Sequence, residues 1–417
     1  MHLLSRITLA SICLLSAGQI ANAAGNADTI FYGGDIVTMN KSQPAAEAVA
    51  VQDGKIIRVG SLAKLKSVQG KDTKLINLNG QTLMPGMVEP HVHIFGTAFS
   101  EELWQNMSNF EMPHDTLDSL VAKLTTYSKN VKDGEWITAF GVDPSRTDPF
   151  MAELTADLLD KVSTTKPIFV MNQSMHIAYV NHKALEMAGI TDSTPDPKGG
   201  KLLKDSKGRL TGVVYEVPAF YLFLSKMPVP NQGLIEQAVA KVGQRMVRKG
   251  VTTSAEISLG GYLGVDKENA LLNDMTHSGK LPVRVRGYMY SNAYPLTNNS
   301  YKPGQGDDVY KLIGVKIVAD GSDQGLTGAM IQPYAYPVGT TNTGTLNFTE
   351  QELYDLAKPR FDQGWQISVH SNGDKSIEQT LNVFQKLVEL TDEIPFGEVA
   401  YLQGFFPFLK LLVLLDF

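Results

Sequence analysis

The segment Leu234 to Lys249 reads as one helix, Gly250 stops it, and Val251-Thr252-Thr253-Ser254-Ala255-Glu256 begins a strand at once. A helix that turns directly into a strand is the mark of an αβ unit. Further strands are expected at Pro282 to Tyr290, Leu312 to Ala319 and Gln366 to His370, with helices Glu350 to Gln363 and Asp374 to Leu390 around the last of them. From Gly86 onward, this alternation predicts an α/β chain with a parallel sheet. The preceding stretch has a different texture. Short β segments at Thr29 to Tyr32, Asp35 to Met39, Ala48 to Val51, Lys55 to Val59 and Lys74 to Asn77 are separated by Gly33-Gly34, Asp53-Gly54 and Asn79-Gly80, with Asp53-Gly54 as the tight hairpin. Residues 24–84 are therefore expected to form a small β module. Between His93 and Leu234, residues 100–230 are too long for a loop and are expected to form an inserted subdomain.

The first residues suggest a leader. Arg6 precedes an apolar run from Ile7 to Leu15, and Ala21-Asn22-Ala23 has the small-x-small pattern of a processing site. Residues 1–23 are thus expected to be a signal peptide cut after Ala23, which places the mature protein in a periplasm or outside the cell. The run is far shorter than the roughly 20 residues that span a bilayer, so no membrane attachment is expected after cleavage. The lone cysteine, Cys13, falls inside this leader, which removes disulfides, cysteine-ligated metals and cysteine nucleophiles from consideration. With 43 acidic against 37 basic side chains the net charge is −6, and a nucleic-acid partner is not expected.

The chemistry concentrates at three strand ends. In Met84-Pro85-Gly86-Met87-Val88-Glu89-Pro90-His91-Val92-His93 the two histidines are two residues apart and share one face of a strand. Their imidazoles, about 6–7 Å apart along it, can converge on one divalent ion. In Ile313-Gly314-Val315-Lys316-Ile317-Val318-Ala319-Asp320, the residues Ile313, Val315 and Ile317 take one face and leave Lys316 and Asp320 on the other, inward one. A buried lysine neutralises, pairs or is chemically modified, and a Lys316–Asp320 ion pair is one open reading. In Gln366-Ile367-Ser368-Val369-His370, the histidine sits inward at the C-terminal end of its strand.

With PGMVEPHVH, GVTTSAEI, VKIVADGS and SVHSNGD in this order, and NQSMHIAYVNHKALEMAGI and TGVVYE in the insertion, the chain resembles the amidohydrolase superfamily, specifically its amidohydrolase 3 group. The resemblance spans about Asp28 to Leu390. It implies a (β/α)8 TIM-type barrel with a small β-sandwich, and hydrolysis of non-peptide C–N bonds in a small amide-type substrate. It also implies one or two divalent ions, zinc first among them, with His91, His93 and His370 as ligands and Lys316 as a carboxylated bridging ligand. His176 and Glu216 are candidate substrate-binding residues, with local packing and a solvated carboxylate as their respective alternatives, and Asp320 is placed with them. Glycine usually precedes the histidine at the position of His176, and Met175 replaces it here.

The family's sixth-strand histidine and eighth-strand acid should follow about residue 395, yet beyond Pro395 there is no histidine and the only aspartate is Asp416. The expectation is an incomplete barrel with residues 85–395 as the barrel part, an aberrant apolar tail at 396–417, and no assigned catalytic acid. An impaired enzyme, a metal-binding remnant without activity and an exported solute-binding protein are the three functional readings. Glu256, Arg284 and Arg286 are expected to face inward and either orient substrate or pair with one another. His114, His182 and His277 are expected at the surface.

Overall fold

The structure, a computed structural model, describes residues 26–108, 115–291 and 300–389. The leader at 1–23, His114 and the tail at 396–417 lie outside the described residues. The chain divides into two compact units between Gly86 and Met87.

The first unit holds one four-stranded sheet, in the order Lys55–Gly60, Ala45–Gln52, Ala27–Val37, Gln69–Asn77. Asp53 and Gly54 take φ of 51° and 73° between the paired residues Gln52 and Lys55, as a two-residue hairpin turn requires. Gly33-Gly34 does not divide two strands as expected. Ala27–Val37 is continuous, and a register irregularity between Tyr32 and Ile36 absorbs the glycines. Leu65 and Val68 pack on Ile30, Ala48 and Ala50 to form the core of this unit.

The second unit is mixed α/β. Five strands, Met87–Val92, Val251–Leu259, Arg284–Tyr290, Tyr310–Val318 and Gln366–His370, form a curled sheet in which each lies parallel beside its predecessor in the chain. Helices Gln232–Arg248, Val265–His277, Glu350–Asp362 and Asp374–Glu389 supply the apolar layer of its core. Val239, Val242, Leu272 and Leu353 from the helices meet Val285, Leu312, Ile317 and Val369 from the strands. Each such buried aliphatic side chain contributes about 1.5–3 kcal/mol. The opposite face of the strands is thereby left for the polar groups Lys316, Glu256 and the histidines.

Between the first and second of these strands the chain builds a second, six-stranded mixed sheet, in the order Lys201–Lys204, Leu210–Tyr215, Ile177–Val180, Ile168–Asn172, Ile137–Val142, Gln105–Asn106. Asn181 anchors it. Its carboxamide accepts from Ile168 N and from Ala184 N, capping helix His182–Ala188, and donates to Ser163 O and Lys166 O. That helix ends at Gly189 in the left-handed conformation. Among the described residues no helix is long and apolar enough to cross a membrane.

Candidate active site

The first strand ends at Val92, and His93 stands just beyond it at the start of the short helix Ile94–Thr97. His91 and His93 turn toward each other, with Nε2 atoms 3.4 Å apart and rings nearly perpendicular at 86°. Burial, reinforced by the charge of Lys316, pulls the imidazole of His91 down to about 4 and that of His93 to about 3. Both are neutral at pH 7 and keep a lone pair for a ligand.

The orientation of His93 is fixed from behind. Its Nδ1 lies 2.9 Å from Ser258 Oγ, and Ser258 donates to Glu256 Oε1 from its hydroxyl and its backbone N–H. The other oxygen of Glu256 accepts from Ile94 N and Phe95 N. With its hydroxyl proton turned to Glu256, Ser258 accepts from His93 Nδ1–H and leaves Nε2 bare, the usual way a ligand histidine is oriented. Glu256 therefore does not face substrate, and it does not pair with the arginines. Arg286 donates to Val285 O and Asp308 O, and Arg284 is exposed.

Lys316 on the fourth strand is buried, which pulls its ammonium down to about 8. The ion pair with Asp320, one of the open readings, is not formed. Asp320 is fully buried, and its oxygens accept from the backbone N–H groups of Ala329, Asn372 and Gly373 at 2.9, 3.0 and 2.8 Å. Burial pushes that carboxyl up to about 6. Asp320, a candidate substrate-binding residue, ties the loop after the fourth strand to the loop after the fifth through these bonds.

His370 closes the fifth strand. Burial, then the charges of His176 and Lys316, holds it well below the usual imidazole range. Its Nε2 donates to Gly321 O at 2.9 Å and stands 3.8 Å from Asp320 Oδ1. The ring of His176 lies over it, with centroids 4.8 Å apart and planes tilted by 34°. Nδ1 of His176 in turn meets Glu216 Oε2 at 2.8 Å. Two residues here have strained backbones: Met175, just before His176, has φ 62°, and Glu216 itself has φ 66°. Glycine adopts that conformation freely, which accounts for its usual place before the histidine.

The structure thus brings His91, His93, Lys316 and His370 into one electrostatic neighbourhood, with His176 and Glu216 beside His370, while Asp320 sits behind as a backbone clamp. Among the described residues no group of three or more His, Cys, Asp and Glu side chains stands ready to hold a metal. His370 Nε2 is engaged by Gly321, Asp320 by backbone, and one oxygen of Glu216 by His176. Two neutral imidazoles with convergent nitrogens beside a buried amine nevertheless fit a divalent ion as a donor set.

Next to this cluster lies a cavity of about 680 Å³, with Glu216 and Gly321 in its wall. Its lining comes from the insertion and from the long loop between Val318 and Glu350. Sequence reasoning missed both the cavity and Glu153 within it, since neither segment carries a periodic pattern. Tyr215 also lines it, whereas Trp136 is core and Trp104 and Phe140 pack against that core. His182 and His277 lie at the surface, paired with Asp160 and Asp307.

The amidohydrolase family profile matches residues 74–404. YtcJ of Bacillus subtilis, named as an amidohydrolase, is 28% identical over 358 residues, covering 86% of this chain and 66% of that protein. N-substituted formamide deformylase of Arthrobacter pascens is 22% identical over 373 residues, covering 86% of this chain and 66% of that protein. The chain therefore spans about two thirds of the length of these curated relatives. A crystal structure of a metal-dependent hydrolase from Pyrococcus horikoshii shares the fold, with TM-score 0.62 at 20% identity over 86% of this chain and 68% of that one.

Proposed function

The chain belongs to the amidohydrolase family, and from that premise we propose that it is a metal-dependent hydrolase of small molecules, cleaving amide-type C–N bonds other than peptide bonds. The observation that carries this reading is the convergence of the His91 and His93 Nε2 atoms beside the buried Lys316, at the C-terminal ends of parallel strands. On this reading the parallel sheet is part of a (β/α)8 barrel.

The ion would be held by His91, His93, Lys316 and His370, with zinc as the proposed metal. When bound, it supplies a Lewis acid for the scissile carbonyl and lowers the pKa of a water to about 7. Ser258 and Glu256 keep the His93 nitrogen aimed. Lys316, its amine made easier to deprotonate by burial, is available for carboxylation by carbon dioxide, which turns a cation into an anionic ligand. Glu216, which lines the cavity, holds His176 beside His370, and on this reading the imidazole positions substrate. The proposal extends to location: residues 1–23 direct export, with cleavage after Ala23.

The test is metal analysis of purified protein together with hydrolysis of a panel of N-formyl and N-acyl amides, N-substituted formamides included. Stoichiometric divalent metal and turnover are expected. Metal without turnover would favour the remnant reading. Folded protein that binds no metal and hydrolyses nothing after metal is added would overturn the assignment.

A further inference from the structure

The cavity beside the cluster has the size of a small-molecule site, for which about 300–1,000 Å³ is usual. Ile177, Leu203, Tyr215, Leu326 and Tyr336 supply the apolar part of its walls. Its charged lining residues are Glu153, Asp196, Glu216 and Lys201, three carboxylates against one ammonium. Two of the carboxylates have duties within the protein. Glu216 holds His176, and Asp196 accepts from Leu202 N. Glu153 has none: among the described residues no hydrogen bond or ion pair engages it.

A half-buried carboxyl in a cavity wall with no partner among the described residues is free to meet a ligand that enters the cavity. The neighbouring titratable groups, Tyr179 and Tyr215, carry no positive charge to offset it. Burial raises the Glu153 carboxyl to about 7, as it would for an acid awaiting a counter-charge. The excess of negative potential in a concave, low-dielectric site attracts cations.

We infer that the cavity selects amide substrates bearing a cationic nitrogen remote from the scissile bond, with Glu153 as the counter-charge for that nitrogen. This rests on the hydrolase reading for the identity of the bond and on the cavity alone for the charge preference. Glu216 and Gly321 stand where the cavity meets the histidines, so a ligand anchored at Glu153 extends its amide toward them.

The test uses three matched N-acetyl butylamines, ending in ammonium, methyl or carboxylate, with binding measured by calorimetry at pH 8 on the full chain. The ammonium compound should bind about tenfold or more tightly than the methyl compound, and the carboxylate compound most weakly. In Glu153→Gln the preference should fall to near parity while affinity for the methyl compound is kept. Equal affinities in the unmodified protein, or a preference that survives Glu153→Gln, would overturn the inference. The unmodified protein alone decides the first point, so it does not depend on how the variant folds. Hydrolysis of the methyl compound is read separately. An ammonium preference without any hydrolysis would leave the charge selection standing and remove the hydrolase reading.

Discussion

His176 and Glu216 clasp each other twice: Nδ1 of the imidazole meets Oε2 of the carboxylate at 2.8 Å, and the backbone N–H of Glu216 donates to the carbonyl of His176 at 2.9 Å. The second oxygen, Oε1, has no partner among the described residues and lies where any side chain at Gly321 would have to go, 2.5 Å from the position of a Cβ. Glu216→Ala should therefore release the imidazole and lower kcat/KM by about 10–100-fold, while Glu216→Gln, which keeps an acceptor for Nδ1–H, should lose much less. Steady-state kinetics of the two variants distinguish a positioning role from a merely structural one, for which both would behave alike.

The hydrogen bond from His93 to Ser258 makes a separate demand. Ser258→Ala removes the acceptor that fixes His93 Nδ1 without touching a proposed ligand. Affinity for zinc should weaken by about 10–100-fold. Competition with a chromophoric chelator measures this, and an unchanged affinity would show that Ser258 does not orient the imidazole.

Removing the ligands themselves should act more sharply. His91→Ala or His93→Ala should bring bound divalent metal well below stoichiometry, measured by elemental analysis. Chelation of the unmodified protein should abolish hydrolysis, and added zinc should restore it.

The ionisation of Glu153 gives a signed pH dependence. Burial raises this carboxyl to about 7, so its negative charge appears only as the pH climbs through that value. The preference for an ammonium-bearing ligand should be small at pH 6 and larger at pH 8. Stability runs the other way. A carboxyl whose folded value exceeds its unfolded one contributes fully below about 4.5 and loses that contribution as the pH rises through about 7. Melting curves between pH 5 and 8 should show a decline that is shallower in Glu153→Gln.

Asn181 tests the insertion. Fully buried, it makes four hydrogen bonds that join a strand, a helix and a turn. Asn181→Ala leaves those backbone groups unsatisfied and should cost about 3 kcal/mol in a denaturant titration.

What the sequence revealed depended on distance along the chain. His91 and His93 could be read because a strand repeats every two residues, and Lys316 because a lone cation interrupts an apolar run. The strand Gln366–His370 could be read to the residue because a helix flanks it on each side. The backbone bonds of Asp320 could not be read, because the strand has already ended at Val318 and its partners Asn372 and Gly373 lie more than fifty residues away. Glu256 was rightly placed inside, but nothing local shows that it serves Ile94 and Phe95, which come from the other side of the insertion. Gly33-Gly34 was misread because the same pair that signals a turn also permits a bulge. Glu153 has no pattern around it and became visible only when the cavity did.

Met175 and Glu216 both hold their backbones in territory that suits glycine; Met175 directly precedes His176, and Glu216 is the carboxylate that holds it. Such a conformation costs on the order of 1 kcal/mol per residue, so this corner of the molecule is under tension at rest. Heat resistance and accuracy of aim are then opposed at one spot. Replacing Met175 with glycine should make a hardier protein with a looser imidazole, and selection for endurance alone would tend to blunt that aim.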